Sequence, residues 1–182
     1  MHLLPPAEYV QTLTHATVYA ALYVRDEADR PVQLRATYGT HGWLLPGGNL
    51  EPDEDPWEAA VREGIEETGL EHFRGLTPEL LLTHFQHPDP AWPMPGVGFV
   101  FDGGRLTPEQ LSSMRLDPAE HSRWDVRELA AWRPLMPPAG YERLAAVEAA
   151  RTGAGPRLLI SPGCGGGAVR GDWGSGGSSS RG

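Results

Sequence analysis

The sequence predicts an α/β (α+β) domain in which strands alternate with a few well-marked helices. Three observations predict it. Residues 16–24, ATVYAALYV, are rich in β-branched, tyrosine and small apolar residues without strict alternation, as a strand buried on both faces would be. Residues 56–68 carry helix start and stop signals at their two ends. Residues 138–152 set Leu144, Ala145 and Val147 among alanines and charges, the pattern of a final amphipathic helix capped by Gly153.

Taken in order, residues 3–13 are a lead-in with one short helical turn. The strand at 16–24 is followed by a turn at 25–30 and a return strand at 32–38. There Val32, Leu34 and Ala36 alternate with polar Gln33, Arg35 and Thr37. After a turn at 39–42, Trp43, Leu44 and Leu45 form a short strand that delivers the chain to Pro46, Gly47 and Gly48. Glycines at that point let the backbone approach a ligand closely.

The helix at 56–68 has Asp55 as N-cap, Pro56 at its first position, Glu58 completing a capping box and Gly69 as the left-handed residue beyond its end. At 3.6 residues per turn, Trp57, Ala60, Val61, Gly64, Ile65 and Thr68 share one side. Ala59, Glu63, Glu66 and Glu67 share another, expected to face outward. The three glutamates are spaced i, i+3 and i+4, and each like-charge pair costs a few tenths of a kcal/mol in an isolated helix. Arg62 is expected to pair with Glu58 and to point mostly away from the glutamates. A hard divalent cation fits the cluster better, because Mg²⁺ takes oxygen ligands and bridges carboxylates to phosphates. A solvated acidic face is the bland alternative.

Beyond the helix, residues 80–87 form a strand whose His84 and His87 point to opposite faces, which excludes a shared metal site but leaves one of them to reach a ligand. Residues 88–96, PDPAWPMPG, are a proline-rich loop using Trp92 as a packing anchor or a stacking lid. A strand at 97–101, a turn at 102–105, a helix at 107–114 with Thr107 as N-cap, a loop at 116–122 and a strand at 123–126 follow.

The box at 47–70 also carries a family signature. Gly48, five residues, Glu54, seven residues, then Arg62-Glu63-Gly64-Ile65-Glu66-Glu67-Thr68-Gly69-Leu70 resemble the Nudix box, G-x5-E-x7-R-E-U-x-E-E-x-G-U with U a bulky apolar residue. Gly64 departs from it at the first U, which puts local packing in question more than chemistry. The resemblance implies a mixed β-sheet sandwiched between helices, and metal-dependent hydrolysis of a diphosphate bond in a nucleoside diphosphate linked to another moiety. An ADP-ribose or nucleotide-sugar type of substrate is favoured. A MutT-like nucleoside triphosphate pyrophosphohydrolase and a non-catalytic nucleotide-binding regulatory module are the alternatives.

It further implies Mg²⁺ or Mn²⁺ held by Glu63, Glu66, Glu67 and the Gly47 carbonyl, with Glu120, from the loop before the tryptophan-bearing strand, as a further ligand or general base. Glu63, Glu66 and Glu120 are all candidates for the base, and Arg62 and Glu54 would hold the carboxylates in place. Trp43, His84 and Trp92 are candidate substrate contacts.

A chain of 182 residues suits one domain, 1–160, with a flexible Gly/Ser-rich tail at 161–182. The formal charge of −9 argues against a nucleic-acid partner but not against a small phosphorylated one. The one cysteine, Cys164, permits no internal disulfide. Neither a signal segment nor a membrane-length apolar run is visible, so a cytoplasmic protein without a membrane partner is expected, with a homodimer left open.

Overall fold

The computed structural model describes residues 4–37, 42–90, 92–153 and 155–162. Its centre is β1 (Thr17–Asp26), buried along most of its length as the apolar run requires. Around it form β4 (Gly47–Asn49), β5 (Leu80–Gln86), β6 (Gly96–Leu106) and β8 (Arg157–Ser161), in the order β4-β1-β6-β5-β8. β1 runs parallel to β6 and antiparallel to β4, β5 antiparallel to β6 and parallel to β8, so the sheet is mixed. A second sheet has the order β3-β2-β7, from β2 (Val32–Ala36), β3 (Trp43–Leu44) and β7 (His121–Val126).

Alternate residues of β1 feed two cores. Ala20, Leu22 and Val24 pack with Ala59 and Ala60 of α2 (Pro56–Thr68) and with Phe73. Ala21 and Tyr23 pack with Leu144, Val147 and Ala150 of α5 (Pro138–Arg151) and with Trp132, so helices cover both faces of the large sheet. Three shorter α-helices, α1 (Pro6–Val10), α3 (Pro108–Ser113) and α4 (Leu129–Trp132), and two 3₁₀ helices, Glu71–Gly75 and Arg133–Leu135, join these elements. Among the described residues no helix is long and apolar enough to cross a membrane.

Several boundaries differ from the sequence reading. The expected turn at 102–105 lies inside β6: Tyr23 faces Asp102 and Arg25 faces Arg105, so β6 holds one extra residue there. Gly104, at φ 78°, absorbs this bulge. Gln33, expected on a wet face of β2, is 1% exposed, its amide donating to the Val32 carbonyl. α5 ends on Thr152 in right-handed geometry rather than on a left-handed Gly153. β8 was not anticipated, and Ser161, placed at the start of the tail, is its buried last residue. The rest of the proposed tail, from 163, and the turn residues 38–41 lie outside the described residues.

Gly64, the departure from the motif, has a packing reason. A Cβ built there would lie 2.7 Å from Leu22 Cδ1 and 3.2 Å from the Phe73 ring, so those residues fill the space a larger side chain would take. Restoring the motif's bulky residue with Gly64→Ile is expected to destabilise the fold by about 1–3 kcal/mol, the usual range for overpacking. A urea midpoint at or above that of the wild type would refute this account.

Candidate active site

Local rules fix the register of α2. The Asp55 carboxylate accepts from the backbone N–H of Trp57 (2.8 Å) and Glu58 (2.9 Å), Glu58 accepts from the Asp55 N–H (2.9 Å), and Gly69 closes the helix at φ 72°. Glu58 is thus spent on the cap. Arg62, expected to pair with it, instead donates through Nε to Glu54 at 2.6 Å. Its other nitrogens lie 3.0 Å from Glu63, 3.1 Å from Glu66 and 3.1 Å from the Asn49 carbonyl oxygen. It is the cationic centre of the acidic cluster rather than a bystander.

Nor does the acidic side of α2 face outward as a unit. Glu66 is 59% exposed in its side chain, but Glu63 is half-buried and lies close over Gly48, where an added Cβ would sit 2.2 Å from Glu63 Oε1. Burial, then the charges of Glu67 and Glu66, push the Glu63 carboxyl above the usual carboxylate range against the pull of Arg62.

Glu67 is 3% exposed. Its Oε2 accepts from the Gly47 N–H at 2.8 Å and its Oε1 lies 2.6 Å from His121 Nε2. His121, the first residue of β7, is also buried. Burial opposes its charging, but the hydrogen bond and the charge of Glu67, with Glu120 and Asp117 nearby, raise its pKa above the ordinary imidazole value.

Glu120 is exposed beside this pair, and one ligand atom each from Glu67, Glu120 and His121 lie within 4.8 Å of one another. The group fits a divalent ion chemically. The two Glu67 oxygens have about four acceptor sites between them and use one each, leaving room for an ion. Glu120 adds a hard oxygen and His121 a borderline nitrogen.

Beside the box lies a cleft of about 310 Å³, bordered by Tyr19, Leu45, Gly47, Asn49, Trp92 and Arg143. Trp92, 54% exposed, lines it as a candidate contact should. Trp43 does not: it is 3% exposed and packs edge-on to Trp132 at 5.1 Å, a core residue. His84 stands behind the cleft, 5% exposed, with both ring nitrogens bonded within the protein, to Tyr19 Oη at 2.5 Å and Ser161 Oγ at 2.9 Å.

The NUDIX domain family model matches residues 14–148. The chain belongs to that family. The asymmetrical bis(5'-nucleosyl)-tetraphosphatase of Caenorhabditis elegans is 46% identical over 37 residues, 20% of this chain and 27% of that protein. A MutT-like protein of Streptomyces ambofaciens is 37% identical over 70 residues, 38% of this chain and 44% of that protein. The chain therefore spans less than half the length of these curated relatives. Among solved structures, the MutT protein from Methanosarcina mazei Go1 superposes with a TM-score of 0.61 at 21% identity, covering 77% of this chain and 98% of that one, a likeness of fold.

Within the Nudix box, Glu54, Arg62, Glu63 and Glu66 form one ion-paired group. Glu67 and Glu120 form a second with His121, which the sequence reading missed. A lone histidine has no periodicity, and adjacency to Glu120 was its only signal. Tyr19 and Arg143 were missed likewise, because a strand interior and a helix 124 residues apart meet only in the fold.

The hydrogen bond from Arg62, then that from the Glu51 N–H, hold the Glu54 carboxyl down at about 2, against an ordinary 4.5. The folded protein therefore keeps Glu54 ionised where the unfolded chain protonates it. The stability this contributes is complete above the ordinary value and is lost as pH falls through the folded one. In metal-free buffer, Glu54→Gln is expected to shrink the fall in urea midpoint between about pH 5 and pH 2. An undiminished fall would show that the pair contributes nothing.

Proposed function

We propose that the chain hydrolyses a diphosphate bond in a nucleoside diphosphate joined to a further group, X, with a divalent metal ion. One observation carries the reading: the buried Glu67 sits with Glu120 and His121 in one group able to hold an ion, and it is hydrogen-bonded to Gly47, which itself borders the cleft.

Glu63, Glu66, Glu67, Glu120 and the Gly47 carbonyl are the proposed holders of Mg²⁺ or Mn²⁺, with His121 adjoining. Such an ion would neutralise the diphosphate and acidify an attacking water. Arg62, fastened by Glu54, holds Glu63 and Glu66 in orientation. Of the three candidate bases, Glu63 and Glu66 are ion-paired with Arg62, whereas Glu120 is exposed and has only His121 as a cationic neighbour among the described residues. Glu120 is accordingly the proposed proton acceptor. Trp92, on the cleft wall, offers an aromatic face to a base.

The ADP-ribose or nucleotide-sugar type fits this reading. Similarity over 37 residues to a protein named as a dinucleoside tetraphosphatase supports keeping polyphosphate-bridged dinucleotides in the same class. A triphosphate pyrophosphohydrolase would act on the same bond type.

The test is a panel of ADP-ribose, nucleotide sugars, nucleoside triphosphates and dinucleoside tetraphosphates with Mg²⁺ or Mn²⁺, read by phosphate release after phosphatase treatment. Turnover of at least one compound, abolished by EDTA, is expected. Glu67→Gln should lower kcat by roughly two orders of magnitude or more, the scale for losing one charge-stabilising group. Near wild-type turnover in that variant would sink the metal assignment. Binding without turnover anywhere on the panel would favour a nucleotide-binding module.

A further inference from the structure

We infer that Arg143 is a specificity-determining residue that receives an anionic group of the ligand, a phosphate outside the scissile diphosphate. This deepens the proposed function and rests on it. Of the residues bordering the cleft, Arg143 is the single ionic one, and it is positive in a chain of net charge −9. A guanidinium offers five N–H donors. Among the described residues, Arg143 makes one hydrogen bond, from Nη1 to Tyr19 Oη at 3.2 Å, and has no carboxylate partner. A half-buried cation without a counter-ion gains more than an exposed one from an incoming anion, and a guanidinium matches phosphate geometry bidentately.

The arrangement is held from behind. The Tyr19 ring lies over Gly98, where a Cβ would come within 2.1 Å of its Cζ, so a larger residue there would expel it. Its hydroxyl is 2.5 Å from His84 Nδ1, and His84 Nε2 is 2.9 Å from Ser161 Oγ. Burial, then the charge of Arg143, hold His84 down to about 4, so the imidazole is neutral near pH 7. One direction of donation then satisfies the row: Arg143 donates to Tyr19 Oη, Tyr19 to His84 Nδ1, and His84 Nε2–H to Ser161. Nothing in that row uses the remaining Arg143 donors, which stay free for a ligand.

The location separates this anion from the scissile one. Tyr19 pairs in register with Asn49 of the box strand, and Gly47, Asn49 and Arg143 border one cleft, whose lining among the described residues holds no carboxylate. A diphosphate held at the box would lie at the Gly47 edge of the cleft, and the contact inferred at Arg143 is with a further anionic group. Ligands with a third phosphate, or with a phosphorylated X, meet this requirement, and a neutral sugar does not.

The test uses the full chain. In EDTA, titration calorimetry with adenosine 5'-monophosphate and with adenosine is expected to show at least tenfold tighter binding of the monophosphate by the wild type. R143Q should abolish that preference and R143K restore part of it, with melting temperatures unchanged. A wild type that binds both probes equally or neither, or an R143Q that keeps the preference, overturns the inference. So does an R143Q that loses adenosine equally, since the contact would then be to the base. With Mg²⁺, R143Q should raise KM for diadenosine tetraphosphate at least tenfold at little cost in kcat, leaving KM for ADP-ribose unchanged. Equal effects on both substrates would also overturn it. Failure of all turnover would instead refute the hydrolase reading, while the metal-free titration still decides the role of Arg143.

Discussion

The arrangement depends on one buried carboxylate. Removing the Glu67 side chain from water is costly unless its oxygens are paired, and the pairing partners come from distant parts of the chain. One is the Gly47 N–H on β4, in the five-stranded sheet; the other is His121 on β7, in the three-stranded sheet. Glu67 therefore joins α2 to both sheets, through a glycine that borders the cleft. Close approach is the condition for this, and it explains the glycines nearby. An added Cβ at Gly47 would lie 2.3 Å from the Ala20 carbonyl oxygen, and one at Gly64 would collide with Leu22 on the face against which α2 rests.

Much of the scaffold was legible because its determinants are local. Asp55, Pro56, Glu58 and Gly69 set the ends of α2, Thr107 caps α3, and the unbroken apolar run at 17–24 marks the central strand. What was not legible depends on partners far away in sequence. β8 is held by parallel pairing with β5, and its exposed Leu158 and Ile160 give no periodic signal for that pairing. The glycine pair at 103–104 has turn composition, yet pairing with β1 makes it a bulge in a continuing strand.

The same distinction governs the site. A helical projection places Glu63, Glu66 and Glu67 on one side but cannot say what covers that side. In the fold β4 comes over Glu63, the imidazole of His121 meets Glu67, and only Glu66 is left mainly in water. Arg62 was misread for a related reason. Two glutamates compete for roles at the start of α2, and the capping box takes Glu58, leaving Glu54 to Arg62. Spacing named the candidates, while hydrogen-bond competition assigned them.

Electrostatics then sets the cleft apart from the box that adjoins it at Gly47. On the box side, outside the lining of the cleft, stand carboxylates whose mutual repulsion is incompletely offset by Arg62 and His121, and which would also repel an anionic ligand. On the other stands a single guanidinium with donors to spare. A phosphorylated ligand in this cleft would gain from Arg143 with or without a metal ion, but could approach the carboxylates closely only once a cation lay between them. Metal and ligand binding should thus favour each other at the box end, where each relieves the other's repulsion, and be nearly independent at the Arg143 end. That asymmetry would separate the two proposed contributions: contacts at Arg143 would set which ligands dwell in the cleft, and the group around Glu67 would set what happens to the bond placed beside it.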